Sequence, residues 1–81
     1  MYYVYIIQDE KNKLYVGYSS NLRQRFKAHL LGSTHTTANF LKPRLIYYEA
    51  YESEQLARDR ETKLKQYGSS YTGLLKRLGL K

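Results

Sequence analysis

Residues Tyr2–Gln8 read YYVYIIQ, aromatic or β-branched at six of seven positions. Side chains of that kind fit a pleated, buried surface, and the run ends abruptly at the polar stretch Asp9–Asn12, so it forms a β-strand. A second short run of the same character, Lys13–Tyr18, follows at once. Two such runs joined by a few polar residues make a β-hairpin. With Ile6 placed opposite Leu14, Tyr5 and Tyr15 become cross-strand partners on one face. A slip of one residue would put them on opposite faces, so this register is an expectation with consequences.

Beyond the hairpin the apolar period changes. Ser19 or Ser20 can cap a helix, after which Leu22, Phe26 and Leu30 recur every fourth residue as far as Gly32, a residue suited to ending it. The first helix is therefore expected over Asn21–Leu31. Gly32–Pro43 is polar, has no period and reads as a loop lying across one edge of the domain. Arg44–Tyr51, RLIYYEAY, is a third strand; Ser53 caps a second helix that runs to about Tyr67 and stops at Gly68, and a last helix spans about Ser70–Leu78. The order ββαβαα implies an α+β fold, a small three-stranded antiparallel sheet flanked by helices. At 81 residues there is room for one domain, residues 1–81, with one core.

Several function classes fall away on composition. The chain has no cysteine, which removes disulfides, thiol nucleophiles and thiolate zinc sites. No apolar run approaches the roughly 18 residues of a membrane span, and MYYVYIIQDE lacks the basic start and cleavage site of a signal peptide, so a soluble, cytoplasmic protein is expected. Fourteen Lys and Arg against seven Asp and Glu give a net charge of +7, a field that concentrates polyanions and makes nucleic acid the first partner to consider. Charge alone barely separates DNA from RNA or from an acidic membrane surface. Ten tyrosines stand beside two phenylalanines and no tryptophan. Most suit a thin core whose polar tips reach water, though tyrosine also stacks on bases.

A few reactive side chains lie where packing would not put them. On the first helix Leu22, Phe26 and Leu30 define the buried stripe, with Arg25 about 100° and His29 about 60° from its centre on one flank. On the second helix the stripe is Leu56, Ala57, Leu64 and Tyr67, and Glu61 sits about 90° away, at the boundary of core and solvent. Each has an ordinary reading: Arg25 is one of five cations between Arg23 and Arg44, His29 a surface histidine, and Glu61 the partner of Lys65 four residues on. Arg60 falls near the middle of the apolar stripe. Two readings of it stand, a guanidinium sent outward along an apolar stem or one paired with a buried acceptor.

Taken together, YVYIIQDEKNKLYVGYSSNLRQRFKAH and the later RDRETKLKQY resemble the GIY-YIG nuclease domain over nearly the whole chain. The chain looks most like the small stand-alone bacterial members and the N-terminal nuclease module of the excision-repair endonuclease, the excinuclease. YYVYI resembles the first motif, with Tyr5 at its tyrosine, and KLYVG the second, with Tyr15 and Gly17 in place. Arg25 matches the family's catalytic arginine, His29 a histidine of many members, and Glu61 the metal-binding glutamate. Tyr3 stands in the place of a glycine, Val16 of an isoleucine, and Tyr18 where some members carry a lysine or a small residue. The short tyrosine motifs are common in strands; the specific signal is the ordered set, with an arginine ten residues after Tyr15 and a glutamate on a later helix.

The resemblance implies a metal-dependent endonuclease acting on DNA, with Mg²⁺ or Mn²⁺ held by Glu61. A hard cation that keeps most of its waters needs few protein oxygens, so one carboxylate plus a substrate phosphate suffices. Arg25 would grip a phosphoryl oxygen as charge develops. One of Tyr5 and Tyr15 would orient or deprotonate the attacking water, and which of them is open. His29 is a candidate second proton-transfer group. Gly17, Tyr18, Arg23, Lys27 and His35 are candidate nucleic-acid contacts, Gly17 because the backbone is expected to turn from strand to helix beside substrate. Branched, damaged or otherwise deformed DNA is the expected substrate, since so small a chain has little surface for reading a long sequence. Two other classes compete: a nucleic-acid-binding module without activity, which would tolerate loss of Glu61, and a structural subunit of a larger repair assembly.

Overall fold

The computed structural model describes residues 1–32 and 40–80. His35 lies outside them. Three strands, β1 (Tyr2–Gln8), β2 (Leu14–Ser19) and β3 (Arg44–Tyr51), and three helices, α1 (Leu22–Leu30), α2 (Glu54–Lys65) and α3 (Ser69–Arg77), follow the order ββαβαα. The sheet is antiparallel with strand order β2-β1-β3. The first run of the chain is thus the central strand, covered on both faces, which explains why Val4, Tyr5, Ile6 and Ile7 are all sealed from solvent.

The hairpin register differs from the expected one. Ile6 pairs with Val16, Tyr5 with Gly17 and Ile7 with Tyr15, so the strands are offset by two residues from the pairing of Ile6 with Leu14. Asp9 sets this offset. It is buried, and its carboxylate accepts the backbone N–H groups of Lys11 and Lys13 at 2.9 and 2.8 Å, closing a longer loop in which Asn12 takes a positive φ of 66°. Although burial works against its charge, those bonds and a longer one from Leu41 hold its carboxyl below the usual carboxylate range. Because the offset is even, Tyr5 and Tyr15 still share a face, as diagonal rather than direct neighbours.

One face of the sheet carries Val4, Ile6 and Val16, packed against Ala57 and Leu64 of α2 and Leu74 of α3. The other carries Tyr3, Tyr5, Ile7, Tyr15 and Gly17. A bulge in β3 serves both. Ile6 pairs with Tyr47 and Ile7 with Leu45, so Ile46 has no opposite number; Ile46 and Tyr47 both pack on the core, and Leu45 and Tyr48 both line a hollow beside Tyr3.

Helix caps account for further differences. Asn21, not Ser19 or Ser20, caps α1, its side chain accepting the Gln24 N–H at 3.1 Å; Ser19 ends β2, and its hydroxyl oxygen accepts the Asn21 N–H. Gly32 ends α1 in the left-handed conformation expected of it (φ 69°). Ser53 caps α2 as expected. The stop after α2 falls on Tyr67 (φ 55°) instead of Gly68, which becomes the residue before α3; the Tyr67 ring stacks edge-on against Tyr71. Both helical stripes are also narrower than expected. Leu30, Leu56 and Tyr67 are exposed, and His29 is the buried residue of α1.

Arg60 pairs with an acceptor, one that is half-buried. Its guanidinium meets the Glu49 carboxylate with Nε–Oε1 at 2.9 Å and a second nitrogen to Oε2 at 3.0 Å. Tyr47 and Tyr51 donate their hydroxyls to the same carboxylate at 2.6 and 2.5 Å. The two Arg60 bonds tie α2 to β3 on the core face, and the two hydroxyls, both from β3, brace the carboxylate that receives them. Burial alone would raise the Glu49 carboxyl, but Arg60 and the two hydroxyls hold it below the usual range, while burial and the carboxylate push Tyr51 up to about 12.

Candidate active site

Gly17 is where the site begins. A Cβ built on it would lie 2.8 Å from Tyr5 Cε2 and closer still to Tyr5 Cζ and Oη. The tyrosine of the central strand therefore lies flat across the backbone of its edge-strand partner, and only a residue without a side chain leaves room. Gly17 has no left-handed φ and sits inside β2, so its requirement is space and not the strand-to-helix turn expected of it.

Tyr5, sealed from solvent, shares a hydrogen bond of 2.8 Å with His29 Nε2. His29 is buried as deeply, reached from α1 one turn after Arg25, and its ring also packs 5.3 Å from that of Tyr15. Burial holds the imidazole below its ordinary range, and the Arg25 guanidinium adds to that. It is a neutral ring at neutral pH. Burial also pushes the Tyr5 phenol well above 10, with Tyr15 and Glu61 adding to the effect and the positive charge of Arg25 opposing it. Tyr5 is thus a persistent hydroxyl. Tyr15, by contrast, is half-buried, and the Lys65 ammonium lies 5.3 Å above its ring.

Glu61 arrives from the other side. Its helix packs on the core face, but β2 is the edge strand of the sheet among the described residues, and around that edge Glu61 and Lys65 come up against the tyrosine face. Glu61 is half-buried, pairs with Lys65 at 3.1 Å, and is near enough to Tyr5 for its charge to oppose that phenol's ionisation. Arg25 is exposed and open to a ligand.

Tyr5, Tyr15, Arg25, His29 and Glu61 accordingly converge around Gly17. Of the residues expected to touch nucleic acid, Tyr18 faces the core side, where it donates to Glu54 at 2.8 Å beneath the Arg58 guanidinium, 4.5 Å from its ring centre. It does not join the site. Arg23 and Lys27 are exposed on α1. Lys65, seen in the sequence only as the ordinary partner of Glu61, belongs to the cluster; the four-residue spacing from Glu61 was the available signal.

Among the described residues no three His, Cys, Asp or Glu side chains gather as metal ligands. A donor set with one carboxylate does not suit zinc, which takes three or four protein ligands, but it does suit a hydrated Mg²⁺ or Mn²⁺ shared with a substrate phosphate. Glu61 would hold it, giving up Lys65.

A small antiparallel sheet thus carries two tyrosines, with an arginine and a histidine from a helix and a glutamate brought around the sheet edge. Residues 1–74 match the model of the GIY-YIG catalytic domain, and the chain belongs to that family. A UPF0213 protein of Clostridium perfringens is 36% identical over 67 residues, spanning 82% of this chain and 72% of that protein. One from Staphylococcus haemolyticus is 34% identical over 70 residues, spanning 82% of each chain. The solution structure of a UPF0213 protein from Bacillus halodurans superposes with a TM-score of 0.59 at 28% identity, covering 96% of this chain and 85% of that one. The expected fold is borne out, and the family is one of nucleases that generally depend on a divalent metal. Among the described residues no helix is long and apolar enough to cross a membrane.

Proposed function

We propose that the protein is a Mg²⁺- or Mn²⁺-dependent endonuclease that hydrolyses DNA phosphodiester bonds. The observation that carries this reading is the convergence on Gly17 of five groups from four elements: Tyr5, Tyr15, Arg25, His29 and Glu61. No packing requirement collects a neutral buried histidine, two phenols, an exposed guanidinium and a half-buried carboxylate in one place.

The two tyrosines take different parts. Tyr5 is sealed and committed to His29, so it positions the imidazole and the Tyr15 ring. Tyr15, the tyrosine open to solvent, orients the attacking water. The Lys65 ammonium lies above the Tyr15 ring and His29 packs beside it, so a water held at the Tyr15 hydroxyl sits among polar groups. Arg25 binds a non-bridging phosphoryl oxygen and strengthens that contact as negative charge accumulates. The metal, when bound at Glu61, supplies further charge stabilisation at the phosphate. Net charge of +7 draws the DNA in.

Incubation of the purified protein with supercoiled plasmid and with branched DNA, with Mg²⁺ or Mn²⁺ and with chelator, tests the reading. Cleavage is expected only with metal. Arg25→Ala should lower the rate by roughly two to three orders of magnitude with folding intact. Glu61→Gln should still bind DNA but lose metal-dependent cutting. A Glu61→Gln protein that cuts at the full rate removes the metal assignment; a wild-type protein that binds DNA and never cuts leaves the non-catalytic binding module.

A further inference from the structure

On the tyrosine face, next to the reaction centre, lies a second feature that none of the chemistry above uses. Tyr3 and Tyr48 meet edge to face, ring centres 6.1 Å apart, and with Phe26, Leu22 and Leu45 they line an open hollow of about 500 Å³ with Arg23 at its rim. Tyr48 is 55% exposed, a large ring left facing water in a chain short of core. The β3 bulge is what turns Leu45 and Tyr48 to the same side, so the sheet is bent to make this hollow.

Its position relates it to the site. Tyr3 precedes Tyr5 by two residues on the same face of β1, about 7 Å along the strand. Tyr48 is the direct cross-strand partner of Tyr5. One flank of α1 supplies Arg25 and His29 to the reaction centre while Leu22, Arg23 and Phe26 face the hollow. A phosphate held at Arg25 therefore has its neighbouring nucleoside within reach of the aromatic wall.

We propose that this hollow receives an unpaired nucleobase flanking the phosphate to be cut. The assignment rests on the nuclease reading for the position of that phosphate. Three aromatic rings offer stacking and edge contacts to a flat π-system, and aliphatic Leu22 and Leu45 close the floor. Arg23 meets the backbone charge. A base still paired and stacked in a duplex cannot enter, because its faces are already covered. The hollow makes the protein select strands with an unstacked nucleotide at the cut: single strands, gaps, flaps and loops. Stacking tolerates any base, so the preference is for structure and not for sequence.

The probe is a single-stranded oligonucleotide carrying 2-aminopurine at successive positions, together with the same sequence as a duplex, against wild type, Tyr48→Ala and Tyr48→Phe. Wild type is expected to change the fluorescence at one position next to the cut. Tyr48→Ala should weaken binding of the unpaired strand and raise its KM by roughly tenfold to a hundredfold, leaving melting temperature and duplex cleavage unchanged. Tyr48→Phe should keep the wild-type behaviour. An abasic nucleotide at the same position should reproduce the loss with the protein untouched, so the result does not depend on how a variant folds. No fluorescence change at any position, or equal losses of paired and unpaired substrate in Tyr48→Ala, overturns the base site while the nuclease reading stands. A Tyr48-dependent fluorescence change in a protein that cuts nothing keeps the base site and removes the nuclease reading.

Discussion

Gly17→Ala is the smallest change that should dismantle the site. The added methyl would overlap the Tyr5 ring, with Cε2 at 2.8 Å and Cζ and Oη nearer. The ring cannot swing aside cheaply, because it is sealed from solvent and its hydroxyl is bonded to His29. Overpacking of this kind costs about 1–3 kcal/mol, and displacing the phenol gives up a buried hydrogen bond worth about 1 kcal/mol. A total of about 2–4 kcal/mol should lower the melting temperature of a domain this size by roughly 10 to 20 °C. Because Gly17 has no left-handed φ, none of the loss should come from backbone strain. Thermal denaturation of Gly17→Ala, Tyr5→Leu and the double variant separates the two causes. In the Tyr5→Leu background the alanine should cost under about 1 kcal/mol, a coupling of about 2 kcal/mol between the positions. A Gly17→Ala protein melting within about 2 °C of wild type, or additive losses in the double variant, would refute the reasoning.

The Glu49 network should matter more than the surface ion pairs. Glu49→Gln leaves Arg60 facing a neutral amide and should lower unfolding stability by about 2 kcal/mol, whereas Glu54→Gln, in an exposed pair with Arg58, should shift the denaturant midpoint within scatter. His29 should make stability depend on pH. Its folded-state pKa lies below the ordinary value of 6.5, so between the two the unfolded chain binds a proton that the native chain does not. Stability is therefore full above about pH 6.5 and declines as pH falls towards the folded value, by at most about 1.4 kcal/mol per pH unit. His29→Gln should flatten melting temperature across that window, leaving the steeper loss below about pH 4.5 that belongs to the depressed carboxyls of Asp9 and Glu49.

What the sequence determined by itself was local. The run YYVYIIQ, the period of Arg44–Tyr51 and the caps Ser53 and Gly32 each act within a few residues, and the elements they dictate are present with shifts of a residue or two at their ends. The resemblance nominated five candidate residues by their spacing along the chain. The rest depended on contacts between distant segments. Asp9 pulls three backbone N–H groups to itself, one of them from Leu41, and that sets the hairpin offset which local patterning left free. His29 lies off the apolar stripe of its own helix, and it is the deepest residue there, bonded to the Tyr5 hydroxyl of a strand 24 residues earlier. Arg60 is at home on an apolar stripe because β3 delivers Glu49 to it. Periodicity reports which side of a helix is turned inward; it says nothing of what stands opposite, and the charge, burial and bonding of each site residue are set by that opposite partner.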